Sequence, residues 1–248
     1  MLGIIGGSGL SQLSNLEVIR RQVIRTPYGD PSGALTFGLL NGHEVAFLAR
    51  HGYGHTVPPH LVNYRANIWA LHHAGVTDTI SVASVGGISA DLTPGTLAVP
   101  DQIIDYTWGR KATYFDSVDQ PVTHIDFTRP YSEELRQGCI LAAKRIGQPV
   151  IPQGVYATTQ GPRLESAAEI NRLERDGAHM VGMTGMPEAA LAREIGMSYA
   201  AITVVANFAA GRGNSQDAIK FEDIGAVLQD AMTRVRKILE QWVSDHGG

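Results

Sequence analysis

The chain has 248 residues, 44% of them apolar and 18% charged, which are ordinary proportions for a soluble α/β protein of one large domain or two small ones. Its formal net charge of -4 comes without a basic stripe or polybasic tail, which argues against duplex nucleic acid or an anionic membrane as partner and leaves a small ligand. A single cysteine, Cys139, excludes an internal disulfide and suits a reducing cytoplasm.

The opening MLGIIGGSGL has no basic flank and breaks at once into glycines, so it reads as a strand, Leu2 to Ile5, rather than as a signal peptide or membrane span. The glycines after it let successive backbone N–H groups converge on an anion, and Ser8 adds a hydroxyl. Neither nucleotide fingerprint is met. No Gly-Lys-Ser/Thr follows, and Gln12 stands where G-x-G-x-x-G needs its last glycine. Taken alone, the loop reads equally well as a tight turn.

Strands are expected next at Leu35 to Leu40 and Glu44 to Leu48. Arg50 and His51 follow directly, at a strand's carboxyl end, where α/β sheets place ligands; arginine offers a fork for phosphate and histidine a further donor. His51, His55 and His60 raise a metal site, but the glycines and prolines between them and the lack of H-E-x-x-H weigh against it. His60, His72 and His73 read as structural or solvated. A helix over Leu61 to Ala74 leads to a strand, Thr79 to Ala83, that ends in the glycine turn containing Ser84, and to another at Thr96 to Val99. Trp108 to Arg129 is polar and aromatic together, the signature of a long functional or intersubunit loop.

The second half alternates in the same way. Helix Ser132 to Ile146 carries Cys139; strand Gly154 to Thr159 precedes a helix expected over Glu165 to Asp176, with Glu165 opening it. Strand Met180 to Gly182 leads through Met183 and Thr184 to a proline-led helix, Glu188 to Ile195. Tyr199 to Ala206 is an apolar strand that stops on Asn207, and a buried amide without a partner costs about 1 to 3 kcal/mol. A turn asparagine and a ligand-binding one remain open. The last helix, Glu222 to Val243, repeats Ile224, Leu228, Met232, Val235, Leu239 and Trp242 every three or four residues and packs along the body. With no internal repeat and no break in composition, residues 1–248 read as a single α/β domain with a mixed sheet flanked by helices. Ser8, Arg50, His51, Ser84 and Thr184 are five anion donors at strand ends or glycine turns, and together they suggest one phosphate.

In GIIGGSGL, RHGYGHTVPPHLVNYRANIWAL, GPRLESAAE and VGMTGMPEAALARE, in that order, the chain resembles the trimeric purine nucleoside phosphorylase and methylthioadenosine phosphorylase family from about Gly3 to about Leu228. The resemblance implies a three-layer sandwich that cleaves an N-glycosidic bond with phosphate and uses neither metal nor organic cofactor. It places Ser8, Arg50, His51, Ser84 and Thr184 on phosphate, Met183 on the ribose, and Leu164, Glu165 and Asn207 at the base. His124, in THIDF, matches a position that reaches a neighbouring subunit's pocket, which implies a homotrimer, alone or doubled to a hexamer, with shared sites. Tyr53 stands where the methylthioadenosine branch carries arginine in RHGRQH. Asn207 then has a candidate partner, because its amide oxygen accepts N7–H of the leaving purine while its NH₂ donates to O6.

Three positions speak to the substrate, two at the base and one at the 5′ end. The 6-aminopurine branch has TDYD and GPRFSS where this chain has ANFA and GPRLES, so Asn207 and Glu165 match a 6-oxopurine whose N1–H needs an acceptor. Ordinary 6-oxopurine enzymes place histidine before an acidic pair to bond the ribose 5′-hydroxyl, and here KFEDI puts Phe221 there. Phe221 and Ile224 offer an apolar wall for a methylthio group, or Phe221 is simply the first core residue of the last helix. The expected substrate is 5′-methylthioinosine. The alternatives are an inosine and guanosine phosphorylase, a methylthioadenosine phosphorylase, a hydrolytic nucleosidase, and a non-catalytic nucleoside sensor.

Overall fold

The computed structural model describes residues 1–119 and 121–246. Its strands join one mixed sheet in the order β2 (Glu17–Gln22), β3 (Leu35–Leu40), β4 (His43–Ala49), β1 (Leu2–Gly6), β5 (Asp78–Gly87), β9 (Met180–Gly182), β8 (Val155–Thr158), β7 (Gln102–Asp105), with β10 (Ser198–Phe208) paired to β5 and β6 (Leu97–Ala98) to β10. At the centre β4, β1, β5 and β10 run parallel, so their carboxyl ends share one edge.

Both faces of this centre are covered, and alternation along the strands decides which side chain goes where. Ile4, Val45, Phe47, Ile202 and Val204 pack against α2 (Glu133–Arg145) and α5 (Phe221–His246), while Ile5, Ala46, Leu48 and Ala201 face α1 (Tyr64–His73) and α4 (Gly185–Glu194). That is the expected three-layer sandwich. α3 (Ala167–Arg175) packs with Ile170 and Leu173 on β8 and β9. The α5 stripe from Leu228 to Trp242 is buried as its periodicity predicts, and Cys139 is fully buried inside the α2 layer, where burial pushes its thiol up to about 12.

Several boundaries moved for local reasons. α1 starts at Tyr64 because the Asn63 side chain accepts from Ala66 N–H at 3.1 Å and caps it. α3 starts after Ser166, which forms a capping box with Glu169, so Glu165 precedes the helix instead of opening it. α4 contains Met186 in extended backbone, at φ -119° and ψ 139°, ahead of Pro187. β2 and β7 have no counterpart in the sequence reading; β2 is an edge strand exposed at all six positions, so no apolar face marks it. Residues 106–132 contain no helix or strand among those described, in keeping with the loop expected over Trp108 to Arg129.

Candidate active site

The shared carboxyl edge opens into a cavity of about 560 Å³. Its walls are made by the β1 turn with Ser8, the β4 end with Arg50 and His51, Ser84 on β5, Met183 and Thr184 after β9, and Asn207 on β10. Leu164 and Glu165 from the segment after β8, and Phe221 and Ile224 from the first turn of α5, complete it. His124 does not line this cavity; it is exposed on the irregular segment.

At one end Arg50 is fully buried and paired with fully buried Glu188. Its Nε and Nη2 donate to the two carboxylate oxygens at 2.5 and 3.0 Å, Nη2 also to Ser81 Oγ, and Nη1 to the Val82 carbonyl at 3.0 Å. The fork expected to face an oxyanion therefore faces Glu188, and of the five guanidinium N–H groups one, on Nη1, is left for the cavity. Ser81 and Tyr199 donate to the same carboxylate oxygen, at 3.1 and 2.8 Å. Burial alone would lower the Arg50 pKa, but the Glu188 charge and hydrogen bonds more than reverse it, so the guanidinium stays charged. The chain approaches closely here: a Cβ on Gly7 would lie 2.6 Å from the Val82 carbonyl and 2.8 Å from Arg50 Nη1, so only glycine fits.

His51 turns its Nδ1 to the Val57 carbonyl at 2.8 Å, and a carbonyl only accepts, so Nδ1 carries the proton. Burial first, and then the Arg50 charge, pull its pKa to about 4, so the ring is neutral at neutral pH. His55 lies beside it, ring centroids 4.7 Å apart, with Nε2 at 3.5 Å from Ser8 Oγ. The Thr184 hydroxyl is 3.4 Å from Tyr156 Oη. Tyr53 turns away from the cavity, donating to Ala34 O at 3.0 Å and pairing with the Thr36 hydroxyl at 2.6 Å. Among the described residues no group of three or more His, Cys, Asp or Glu side chains is placed to hold a metal ion.

At the other end the β10–β5 pairing slips between Val205 and Asn207. Strict alternation would send Ala206 and Asn207 to opposite faces; the bulge lets both line the cavity. Asn207 Nδ2 donates to the Phe208 carbonyl at 2.7 Å, which fixes the amide's orientation. Its Oδ1 takes no hydrogen bond from the described residues and is left for a donor on a ligand. Glu165 accepts from Thr159 Oγ1 at 2.5 Å; burial pushes its carboxyl upward and that hydrogen bond opposes the shift. Beyond the two, Phe221 is 67% exposed and Ile224 is half-buried, forming an apolar lip with Ile219 and Leu228. Phe221 is therefore not a core residue.

One residue of this architecture escapes sequence reasoning. Arg110, half-buried on the irregular segment, donates through Nη1 to the Met183 and Met186 carbonyls at 2.8 and 2.6 Å and through Nη2 to the Gln160 carbonyl at 2.9 Å. It ties the segment before Glu165 to the turn that carries Met183 and Thr184. Besides these carbonyls it donates to Gln160 Oε1 and Tyr64 Oη, both at 3.2 Å, and all its partners lie 46 or more positions away, so no residue type near it in the sequence marks the contact.

The phosphorylase superfamily model matches residues 1–244, and the chain belongs to that family. It is 53% identical over 216 residues, 87% of this chain and 86% of the relative, to the probable S-methyl-5′-thioinosine phosphorylase of Xanthomonas campestris pv. campestris. It is 46% identical over 215 residues, 85% of this chain and 80% of the relative, to the 6-oxopurine nucleoside phosphorylase of Pyrococcus furiosus. Among solved structures, the methylthioadenosine phosphorylase of Schistosoma mansoni in complex with adenine superposes with a TM-score of 0.94 at 32% identity, covering 99% of this chain and 91% of that one.

Proposed function

We propose that this chain is a pentosyltransferase that cleaves 5′-methylthioinosine with phosphate to give hypoxanthine and 5-methylthioribose 1-phosphate. The observation that carries this reading is one cavity with three chemistries in it: oxyanion donors from Ser8, Arg50, Ser84 and Thr184, a carboxylate and a fixed amide at Glu165 and Asn207, and the apolar lip of Phe221 and Ile224. Relatives of about half-identical sequence that carry the thioinosine phosphorylase name support it.

The bond order changes at C1′. As the C1′–N9 bond lengthens, negative charge builds on the purine and positive charge on the ribose, so catalysis consists of holding the nucleophile on one face and receiving charge at the base. Asn207 Oδ1 accepts N7–H as that nitrogen gains its proton, and the amide cannot reverse without setting Oδ1 against the Phe208 carbonyl. Ionised Glu165 accepts N1–H of hypoxanthine, while an adenine would present a lone pair there. Leu164 flanks the base, Met183 packs under the ribose, and Phe221 with Ile224 meets the methylthio group, for which a hydroxyl would find no donor on that lip.

The chain works as one domain over 1–248, in a homotrimer, alone or doubled to a hexamer, where His124 completes a neighbour's 5′ pocket. Exposed Trp108, Val118 and Val122 on the same segment support such a contact. Phosphate is a co-substrate and no metal or organic cofactor takes part. No described helix is long and apolar enough to cross a membrane, and the buried lone thiol suits the cytoplasm. Release of free base from methylthioinosine, methylthioadenosine and inosine, each with phosphate, tests the reading. A clear preference for methylthioinosine is expected, and equal kcat/KM for either competitor overturns it.

A further inference from the structure

At the oxyanion end the buried guanidinium is matched by a buried carboxylate. The Arg50 charge is cancelled by Glu188 at hydrogen-bond distance, and Ser8, Ser84 and Thr184 bring neutral hydroxyls. His51 brings a neutral ring whose proton is committed to Val57. The other ring nitrogen, Nε2, makes no hydrogen bond with the described residues, and the ring lines the cavity. It therefore carries a lone pair. We infer that His51 Nε2 accepts a hydrogen bond from the bound oxyanion, so that the site selects oxyanions that carry a proton, phosphate and arsenate, over sulfate, which carries none at neutral pH.

This rests on the phosphorolysis reading and deepens it. Sulfate matches phosphate in size and in the acceptors it offers to hydroxyls and N–H groups, so only a group that requires a proton on the ligand separates the two well. Sulfate would press an oxygen lone pair against the Nε2 lone pair, and such a mismatch in a desolvated site costs roughly 10- to 100-fold in affinity. The reaction balances with the same proton. The C1′–N9 bond breaks with its electron pair going to the purine, a phosphate oxygen forms the new bond to C1′, and the pentose 1-phosphate leaves as a dianion. The hydrogen-phosphate proton is the one lost and the purine gains one, so the sum needs no outside acid. A lone pair on that O–H loosens it as the new C–O bond forms.

Two measurements test the inference without turnover. Nitrogen NMR of the uniformly ¹⁵N-labelled protein at pH 7.5 is expected to show His51 Nδ1 protonated and Nε2 bare; a proton on Nε2 overturns the inference. Calorimetric titration with phosphate, arsenate and sulfate is expected to give sulfate the weaker binding by roughly 10- to 100-fold, with arsenate close to phosphate. His51→Lys, which replaces the lone pair with donors, is expected to narrow the phosphate to sulfate ratio to within about threefold. Sulfate within about threefold of phosphate on the native protein, or an unchanged ratio in the folded variant, overturns the inference alone. No binding of phosphate overturns the phosphorolysis reading as well.

Discussion

The two ends of the cavity are built on opposite terms. At the oxyanion end Arg50 and Glu188 are fully buried, and the carboxylate also takes hydrogen bonds from Ser81 and Tyr199, so the geometry is part of the fold's own interior. At the opposite lip Phe221 is two-thirds exposed in the first turn of α5. The difference separates what the protein can change cheaply from what it cannot. Substitutions at the buried Arg50 end are paid in stability, whereas those at the exposed lip are expected to leave stability nearly unchanged and, on the proposed function, to alter which 5′ group is accepted.

The largest effect that sharpens this contrast is on folding. Glu188→Ala leaves a buried guanidinium without its counter-charge and is expected to lower stability by about 3 to 5 kcal/mol, read from the urea midpoint. A loss below about 1 kcal/mol would mean that the pair is not an anchor of the interior. Next, Asn207→Ala removes the acceptor proposed for N7–H without touching the oxyanion end. The expected loss is roughly 10² to 10³ in kcat/KM for methylthioinosine, with phosphate affinity retained. Arg110→Ala, which contacts neither end, is expected to cost roughly 10² in kcat/KM, because a displacement of about 1 Å in the loops bearing Glu165 and Met183 is enough. Partial rescue by added guanidinium ion would distinguish lost positioning from general loosening.

Two smaller effects probe the lip and the carboxylate proposed to read the base. Phe221→Ala is expected to leave stability within about 0.5 kcal/mol and to reduce the preference for methylthioinosine over inosine by roughly tenfold. A large loss of stability instead would make Phe221 a packing residue after all. The smallest concerns pH. Because burial raises the Glu165 carboxyl, it takes up a proton at higher pH than an ordinary glutamate, and it then donates where it had accepted. Between about pH 7 and about pH 5 the ratio of methylthioadenosine to methylthioinosine cleavage is expected to rise a few-fold, and to stay flat in Glu165→Gln.

Legibility in the sequence followed the kind of signal each part leaves. β1, β3, β4, β10 and α5 were readable because two-sided burial or a 3.6-residue stripe writes itself into residue type. β2 left no such trace, being an exposed edge strand, and β7 is four residues long with none of them fully buried. At the site, the motifs brought eleven of the expected residues to one cavity, with His124 outside it. What the motifs did not carry was the state of those residues. Glu188 as the owner of the Arg50 fork depends on a pairing 138 positions apart, and the fixed orientation of Asn207 depends on a backbone carbonyl. The His51 tautomer likewise depends on where Val57 points. The Ser166 and Glu169 box was the one available clue that Glu165 lies outside its helix.

The burial of Cys139 has a practical side. A thiol held up to about 12 in the α2 layer is closed to alkylating reagents at neutral pH, and the chain has no other. The native protein is thus already a blank background for site-directed labelling. A cysteine introduced at Val122 or Trp108, both largely exposed, would be the sole reactive handle, and a fluorophore or cross-linker there would report directly on whether neighbouring copies meet along that segment.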